Sequence, residues 1–299
     1  MTLPNFLIIG AAKAGTTALH TYLQQHPQIY MTPDKETNFF AFEGEIPNFQ
    51  GPGDEALKDF SITNLAEYEK LFSGVTDEIA IGEACPLYLY HRHAPQKIHH
   101  YIPDVRLIVI LRDPVERAYA NYLHLVRDGR EPDKDFGYAL QDEERRIQNN
   151  WEWFWHYQQL GYYTEQIKRY YQVFSKEQIA IYLYEDLKAD SKNLLESIFR
   201  FLEVDDQFVP DLTIRPNKSG MPKNKLLHQL LMKPNPLKTI LKPLFPSFLR
   251  QKIQHKNLTT PQLSAQIRQQ LIELYREDIL RCQEIIDRDL SGWLVGSNS

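Results

Sequence analysis

The strongest constraint on this chain is local. Four apolar residues, Phe6-Leu7-Ile8-Ile9, run straight into Gly10-Ala11-Ala12-Lys13-Ala14-Gly15-Thr16-Thr17, after which Ala18, Leu19, Tyr22 and Leu23 fall on one helical face. The pattern predicts a buried strand, a glycine turn and a helix N-terminus, with His26-Pro27 closing the helix. Such a turn aims unpaired backbone N–H groups and the positive end of the helix at one spot. With Gly15 permitting close approach and Thr16 and Thr17 adding hydroxyls, the segment from Lys13 through Ala14 to Thr17 reads as a phosphate cradle. The nucleotide-hydrolase loop G-x-x-x-x-G-K-[ST] carries its lysine directly after the second glycine. Here Thr16 takes that place and the cation stands upstream, at Lys13. The usual reach to the terminal phosphates of a triphosphate is thereby lost, and the cation is set against a different bond of the ligand.

Two further strands follow the same logic. Leu107-Ile108-Val109-Ile110-Leu111 is uninterruptedly apolar and enters Arg112-Asp113-Pro114, as expected of a parallel strand covered on both faces. The next helix opens with Pro114 near its start and Glu116 in its first turn. Ile179-Ala180-Ile181-Tyr182-Leu183 leads into Glu185-Asp186-Leu187 and a helical pattern of Leu194, Leu195, Ile198, Phe201 and Leu202. Residues 262–287 read as a long C-terminal helix on Leu263, Ile267, Leu271, Leu274, Cys282 and Ile285. Strands alternating with helices predict an α/β fold, a P-loop-like central parallel sheet flanked by helices, in a single domain over residues 1–299.

Composition narrows the class. With 299 residues, 42% of them hydrophobic, the chain can bury a full core. Its two cysteines, Cys85 and Cys282, exclude a disulfide scaffold and a cysteine-based zinc site. No apolar run approaches a membrane span, and Met1-Thr2-Leu3-Pro4-Asn5 lacks the basic flank of a secretion signal, so a cytoplasmic enzyme is expected. The net charge of −5 hides an asymmetry, because no acidic residue occurs between Asp211 and Glu273 while eleven basic ones do. Such a block is either a solvated basic face or one that closes, at its first portion, over a phosphorylated ligand. No nucleic-acid motif accompanies it, so nucleic acid is not an expected partner. The Pro-rich piece Pro234–Pro246 within the basic excursion of residues 218–256 is expected to be irregular. Around it, Leu237–Leu249 with Lys238, Lys242 and Arg250 carries charge for a membrane surface or a cleft cover, while its prolines break a clean amphipathic helix.

Residues 6–19 and 30–40 resemble the sulfotransferases that use 3′-phosphoadenylyl sulfate (PAPS), especially the heparan-sulfate type and their bacterial relatives. The similarity continues in order through Gly82-Glu83-Ala84-Cys85-Pro86-Leu87-Tyr88-Leu89, Leu107–Tyr122, Tyr184-Glu185-Asp186-Leu187, Asn217–Pro222 and Asp289-Leu290-Ser291-Gly292-Trp293. It implies PAPS as co-substrate, a hydroxyl or amine acceptor on a saccharide or small molecule, in-line sulfuryl transfer and no required metal. Lys13 is expected to meet the charge that develops on the departing bridging oxygen. The segment Asp34-Lys35-Glu36-Thr37-Asn38-Phe39-Phe40 matches the K-E-x-x-F-F segment that supplies the family's catalytic glutamate, which implies Glu36 as base. Its aromatic pair is expected to shield that carboxylate from water. Lys35 is a candidate for holding the transferred sulfonate. Arg112, at a strand end where open α/β sheets place ligands, is assigned by the resemblance to the 3′-phosphate, a task suited to a guanidinium. Lys218, Ser219 and Gly220 resemble the late loop that closes on the nucleotide.

Two departures stand out. Ala120 occupies the place of a serine that contacts the 3′-phosphate in the relatives, a contact either lost or replaced by Asn121 or a backbone group. Ala84 replaces the lysine of E-K-[ST]-P, which argues against importing a heparan acceptor. Read instead as a magnesium-binding aspartate, Asp113 would suit an ATP-dependent phosphotransferase, but the missing post-glycine lysine argues against it. A catalytically inactive nucleotide-binding relative is the other alternative. Trp151, Trp153, Phe154, Trp155, Tyr157, Tyr162, Tyr163, Tyr170 and Tyr171 crowd together as helix packing or as stacking faces for an acceptor. His91, His93, His99 and His100 lack metal-ligand spacing and read as ordinary helix residues.

Overall fold

The computed structural model describes residues 2–214, 221–222, 258–259 and 261–295. At its centre is a five-stranded parallel sheet in the order β2-β3-β1-β4-β5, formed by β1 (Phe6–Gly10), β2 (Ile29–Met31), β3 (Ala80–Ala84), β4 (Arg106–Leu111) and β5 (Ile179–Leu183). Strand β1 lies between β3 and β4, with Phe6 opposite both Gly82 and Arg106. Its five residues are all buried. That central position explains the unbroken apolar run, since each fully buried large side chain contributes roughly 1.5–3 kcal/mol relative to exposure.

The chain first builds the β3–β2 side of β1 and then crosses to β4 on the other side. Strand order therefore reverses between β1 and β4, and the crevice beyond their carboxyl ends is where a ligand is bound in such sheets. The Gly10–Gly15 turn follows β1 and Arg112 follows β4, so both open on that crevice.

Strands β2 and β3 are absent from the sequence reading. Strand β2 is only three residues long, and β3 reads Ala-Ile-Gly-Glu-Ala with a buried acid. Gly82 is required there, because a Cβ at that position would lie 2.1 Å from the Phe6 ring of β1.

Helices cover both faces. The Thr16–Leu23 helix buries Leu19, Tyr22 and Leu23, as the pattern predicts, and also Thr16 and His20. The Pro114–Asp128 helix ends at Gly129, whose φ of 74° closes the last turn in the left-handed region. The C-terminal helix runs over Ala265–Ile286 and buries Leu271, Ile272, Tyr275, Ile279 and Cys282. Leu274, expected on that face, is instead 41% exposed. The aromatic segment is only partly helical: Trp153–Trp155 is a short 3-10 turn and Tyr163–Tyr171 an α-helix. Of the basic excursion, only Met221–Pro222 is described, paired antiparallel with Leu258–Thr259.

Candidate active site

The turn after β1 is built for close approach. Gly15 caps the Thr16–Leu23 helix with φ 105° and no side-chain cap bond, so no side chain competes for the first helical N–H groups. A Cβ on Gly15 would sit 3.1 Å from both Leu187 and Tyr184. Lys13 adopts a left-handed φ of 65°. Its carbonyl accepts from Arg112 Nη1 at 3.0 Å, tying the β1 turn to the end of β4. The Arg112 guanidinium lies 4.8 Å above the Tyr184 ring and 3.6 Å from Glu116, and its own carbonyl accepts from Tyr163 Oη at 2.8 Å.

Burial holds the Lys13 ammonium down at about 8, helped by the positive charges of Arg127 and Arg112 and opposed by Glu36 and Asp128. Arg127 and Arg112 are themselves paired, with Asp128 at 2.9 Å and with Glu116 at 3.6 Å. Lys13, Ala14, Gly15, Thr16, Thr17, Arg112 and Glu36 are thus brought to one region. Lys218, Ser219 and Gly220 lie outside the described residues.

Glu36 stands on a loop held to the end of β3. Its backbone N–H donates to Ala84 O at 2.9 Å, and both Glu36 and Asn38 have left-handed φ values, 63° and 59°. Non-glycine residues occupy that region at a cost, so surrounding bonds must hold them there. Those bonds converge on Glu83, which is fully buried. Its carboxylate accepts from Thr37 Oγ1, from Tyr68 Oη at 2.5 Å and from Tyr88 Oη at 3.0 Å. Burial pushes the Glu83 carboxyl up despite these hydroxyls. Lys35 Nζ completes the loop by donating to Thr17 Oγ1 at 2.9 Å and to Glu36 Oε1 at 3.2 Å.

The expected aromatic shield is not formed. Phe39 and Phe40 are fully buried, Phe39 stacking on Tyr68 at 4.2 Å, while the Glu36 side chain is 42% exposed. The two rings anchor the loop to the core and leave the carboxylate open to solvent. Asn121, fully buried, donates from Nδ2 to Phe154 O at 2.6 Å, which occupies one of its two amide hydrogens.

Asp113 is a helix cap. Its carboxylate accepts from Val115 N at 2.8 Å and from Glu116 N at 3.5 Å, and burial raises it to about 6. His93 caps the Ala94–Tyr101 helix, which carries His99 and His100, whereas His91 precedes it.

Sequence reasoning missed the far end of the Pro114–Asp128 helix. His124 is pushed down to about 3 by burial and by the charges of Lys13, Arg127 and Arg130, with Asp128 opposing. Arg127 Nη2 donates to His124 Nδ1 at 2.6 Å. A guanidinium has no lone pair to offer, so Nδ1 accepts and Nε2 carries the proton, facing Asp128 Oδ2 at 3.3 Å. The signal was available: Glu116, Ala120, His124 and Asp128 recur at i, i+4 from Arg112 and share one helix face.

With this geometry in place, the comparisons with known proteins are decisive. A family model described as a sulfotransferase domain matches residues 3–232. The chain belongs to this sulfotransferase family. It is 33% identical to a sulfotransferase from Alicyclobacillus acidocaldarius of known crystal structure, with a TM-score of 0.80 over 98% of this chain and 99% of that one. It is also 33% identical, over 122 residues, to the membrane-associated sulfotransferase kil1 of Dictyostelium discoideum, covering 41% of this chain and 23% of the relative. To carbohydrate sulfotransferase 15 of Mus musculus it is 26% identical over 250 residues, 68% of this chain and 44% of that one. The chain thus spans less than half the length of these two curated relatives.

The expected cytoplasmic location is overturned by the same comparisons, which include a membrane-associated enzyme. Composition misled here because such relatives carry the shared region within longer chains, and the region itself does not report where they reside. Among the described residues, no helix is long and apolar enough to cross a membrane.

Proposed function

We propose that this sulfotransferase moves the sulfuryl group of PAPS to a hydroxyl or amine, by in-line displacement. The observation that carries the reading is geometric: Arg112 Nη1, at the end of β4, donates to the Lys13 carbonyl at 3.0 Å, so the glycine turn and the guanidinium face one crevice beyond β1 and β4. The 3′-phosphate is placed at Arg112, the phosphosulfate bridge at Lys13 and the turn amides, and the closing loop at Lys218, Ser219 and Gly220. As the sulfur–oxygen bond to the 5′-phosphate breaks, Lys13 meets the charge left on the bridging oxygen. Glu36 takes the acceptor's proton as the new bond to sulfur forms, a role typically contributing about 10²–10⁴-fold. The capping role of Asp113 disfavours an ATP-dependent phosphotransferase, since its carboxylate is turned to its own helix. The carbohydrate sulfotransferase among the relatives favours a saccharide acceptor.

The reading is tested by calorimetry with adenosine 3′,5′-bisphosphate beside ATP–magnesium, followed by mass spectrometry of cell extract incubated with enzyme and labelled PAPS. Binding of the bisphosphate, new sulfated species, and their loss in Glu36→Gln with bisphosphate affinity retained are expected. Near-full turnover in Glu36→Gln refutes the base assignment, and preference for ATP–magnesium refutes the whole reading.

A further inference from the structure

A cavity of about 1050 Å³ lies apart from this centre, and none of Lys13, Glu36, Arg112 or His124 lines it. Phe42, Tyr90, His91, Trp153, His156 and Tyr162 give it aromatic walls. The aromatic segment separates the two places. Phe154 lies 5.2 Å from the His124 ring, and Trp153, 4.5 Å from Phe154, lines the cavity.

Two features define what fits. The first is a cluster of unsatisfied polar atoms. Among the described residues, buried side-chain atoms without a hydrogen-bond partner include three on residues lining this cavity: His91 Nδ1, Trp153 Nε1 and Arg169 Nε. Trp153 is only 6% exposed. A buried polar atom left unpaired costs about 1–3 kcal/mol, so three around one cavity call for partners. Each atom is shut off from solvent as the side chains stand, so it meets a ligand only through side-chain rotations of the kind common on binding.

The second feature is charge balance. Burial holds both His91 and His156 down at about 4, so neither is charged at neutral pH. The charged lining residues are Arg92, Arg169, Arg276 and Arg281 against Glu165, Glu273, Glu277 and Asp278. Arg276 is bound to Glu273 at 2.9 Å and Arg281 to Glu277 at 3.0 Å. Asp278 is occupied by the Tyr163 N–H at 2.8 Å. Glu165 is paired outside the lining, with Lys168 at 3.1 Å, and the lining charges balance in formal number, four against four.

Flat apolar faces, edge-placed hydrogen-bonding groups and zero net charge select a ring with C–H faces and hydroxyl edges. We infer that the cavity binds an uncharged, hydroxyl-rich ring, a neutral saccharide unit, outside the transfer centre. Its volume admits more than one such ring.

The test uses the full chain and ligand-observed NMR with cellobiose, lactose and N,N′-diacetylchitobiose, beside a heparin-derived sulfated disaccharide. At least one neutral disaccharide is expected to bind, more tightly than the sulfated one. Trp153→Phe, which keeps an aromatic face but removes the N–H together with the five-membered ring, is expected to weaken that binding at least about fivefold, the loss of one neutral hydrogen bond. Leu274→Trp, at an exposed lining position, is expected to block it without touching the core. Affinity for adenosine 3′,5′-bisphosphate should be unchanged in both variants. Absence of binding by all three neutral sugars, tighter binding of the sulfated one, or binding that survives Leu274→Trp overturns the assignment. A chain that binds the neutral sugar and not the bisphosphate refutes the transfer reading and leaves this one standing.

Discussion

Lys35 Nζ bridges Thr17 Oγ1 and Glu36 Oε1, at 2.9 and 3.2 Å, so one ammonium ties the first turn of the phosphate-loop helix to the proposed base. The Lys35 side chain is 17% exposed and that of Glu36 42%. A pair this open contributes little to stability, about 0–1 kcal/mol. Lys35→Met should therefore leave the melting temperature nearly unchanged while kcat/KM for transfer falls about 10–100-fold through mispositioning. Parallel melting curves and initial rates check this, and a large loss of stability with normal turnover would contradict it.

Lys13 gives a pH dependence of known sign. Its pKa stands at about 8 in the free protein, and a bound anion raises it, so affinity is greatest where the lysine is already charged. The affinity for adenosine 3′,5′-bisphosphate should be level near neutral pH and weaken as pH rises through 8, approaching a tenfold loss per unit. Lys13→Met should bind weakly at every pH and lose the slope. Calorimetry at about pH 7–9.5, in buffers of different ionisation enthalpy, reads both the affinity and the proton taken up.

Glu83 is expected to control stability and the posture of the base together. Glu83→Ala strips a partner from Thr37, Tyr68 and Tyr88 and should cost about 2–4 kcal/mol in urea unfolding. Burial raises its pKa above the unfolded value, so the folded protein keeps this proton to higher pH than the unfolded chain does. The group's contribution is full below the ordinary carboxylate range and declines as pH rises beyond it. Glu83→Gln should flatten that part of the pH–stability curve.

Asp113 distinguishes a cap from a metal ligand. Asp113→Ala should lose about 1 kcal/mol of stability, with most of it restored in Asp113→Asn, whose side-chain oxygen still accepts from Val115 N–H. A magnesium-binding role would instead leave the asparagine variant as defective as the alanine one, in activity assays with and without chelator.

What could be read from the amino-acid order follows from where each signal is stored. The turn after β1 and the end of β4 were legible because contiguous apolar strands deliver Lys13 and Arg112 directly, and the sheet order places them together. Strand β3 was not, since Gly82 serves a ring on another strand and Glu83 is a buried acid, which hydropathy reads as surface. His124 was missed for a related reason. Its helix spacing is local, but the partner that gives it meaning, Lys13, lies on a different element. The aromatic crowd divides between core and cavity wall, a distinction that depends on facing residues from the C-terminal helix.

The strand arrangement also fixes a direction for the chemistry. The Glu36 backbone hangs from the end of β3, Lys13 follows β1 and Arg112 follows β4, three neighbours in the sheet. Adjacent strands lie about 4.8 Å apart, so the sheet acts as a ruler laid beneath the reactants. In the proposed reaction the nucleotide lies across β4 and β1, and the sulfur passes from the bridge at β1 towards the acceptor's side at β3. The intervals along that path are set by backbone pairing, which a change of acceptor need not disturb.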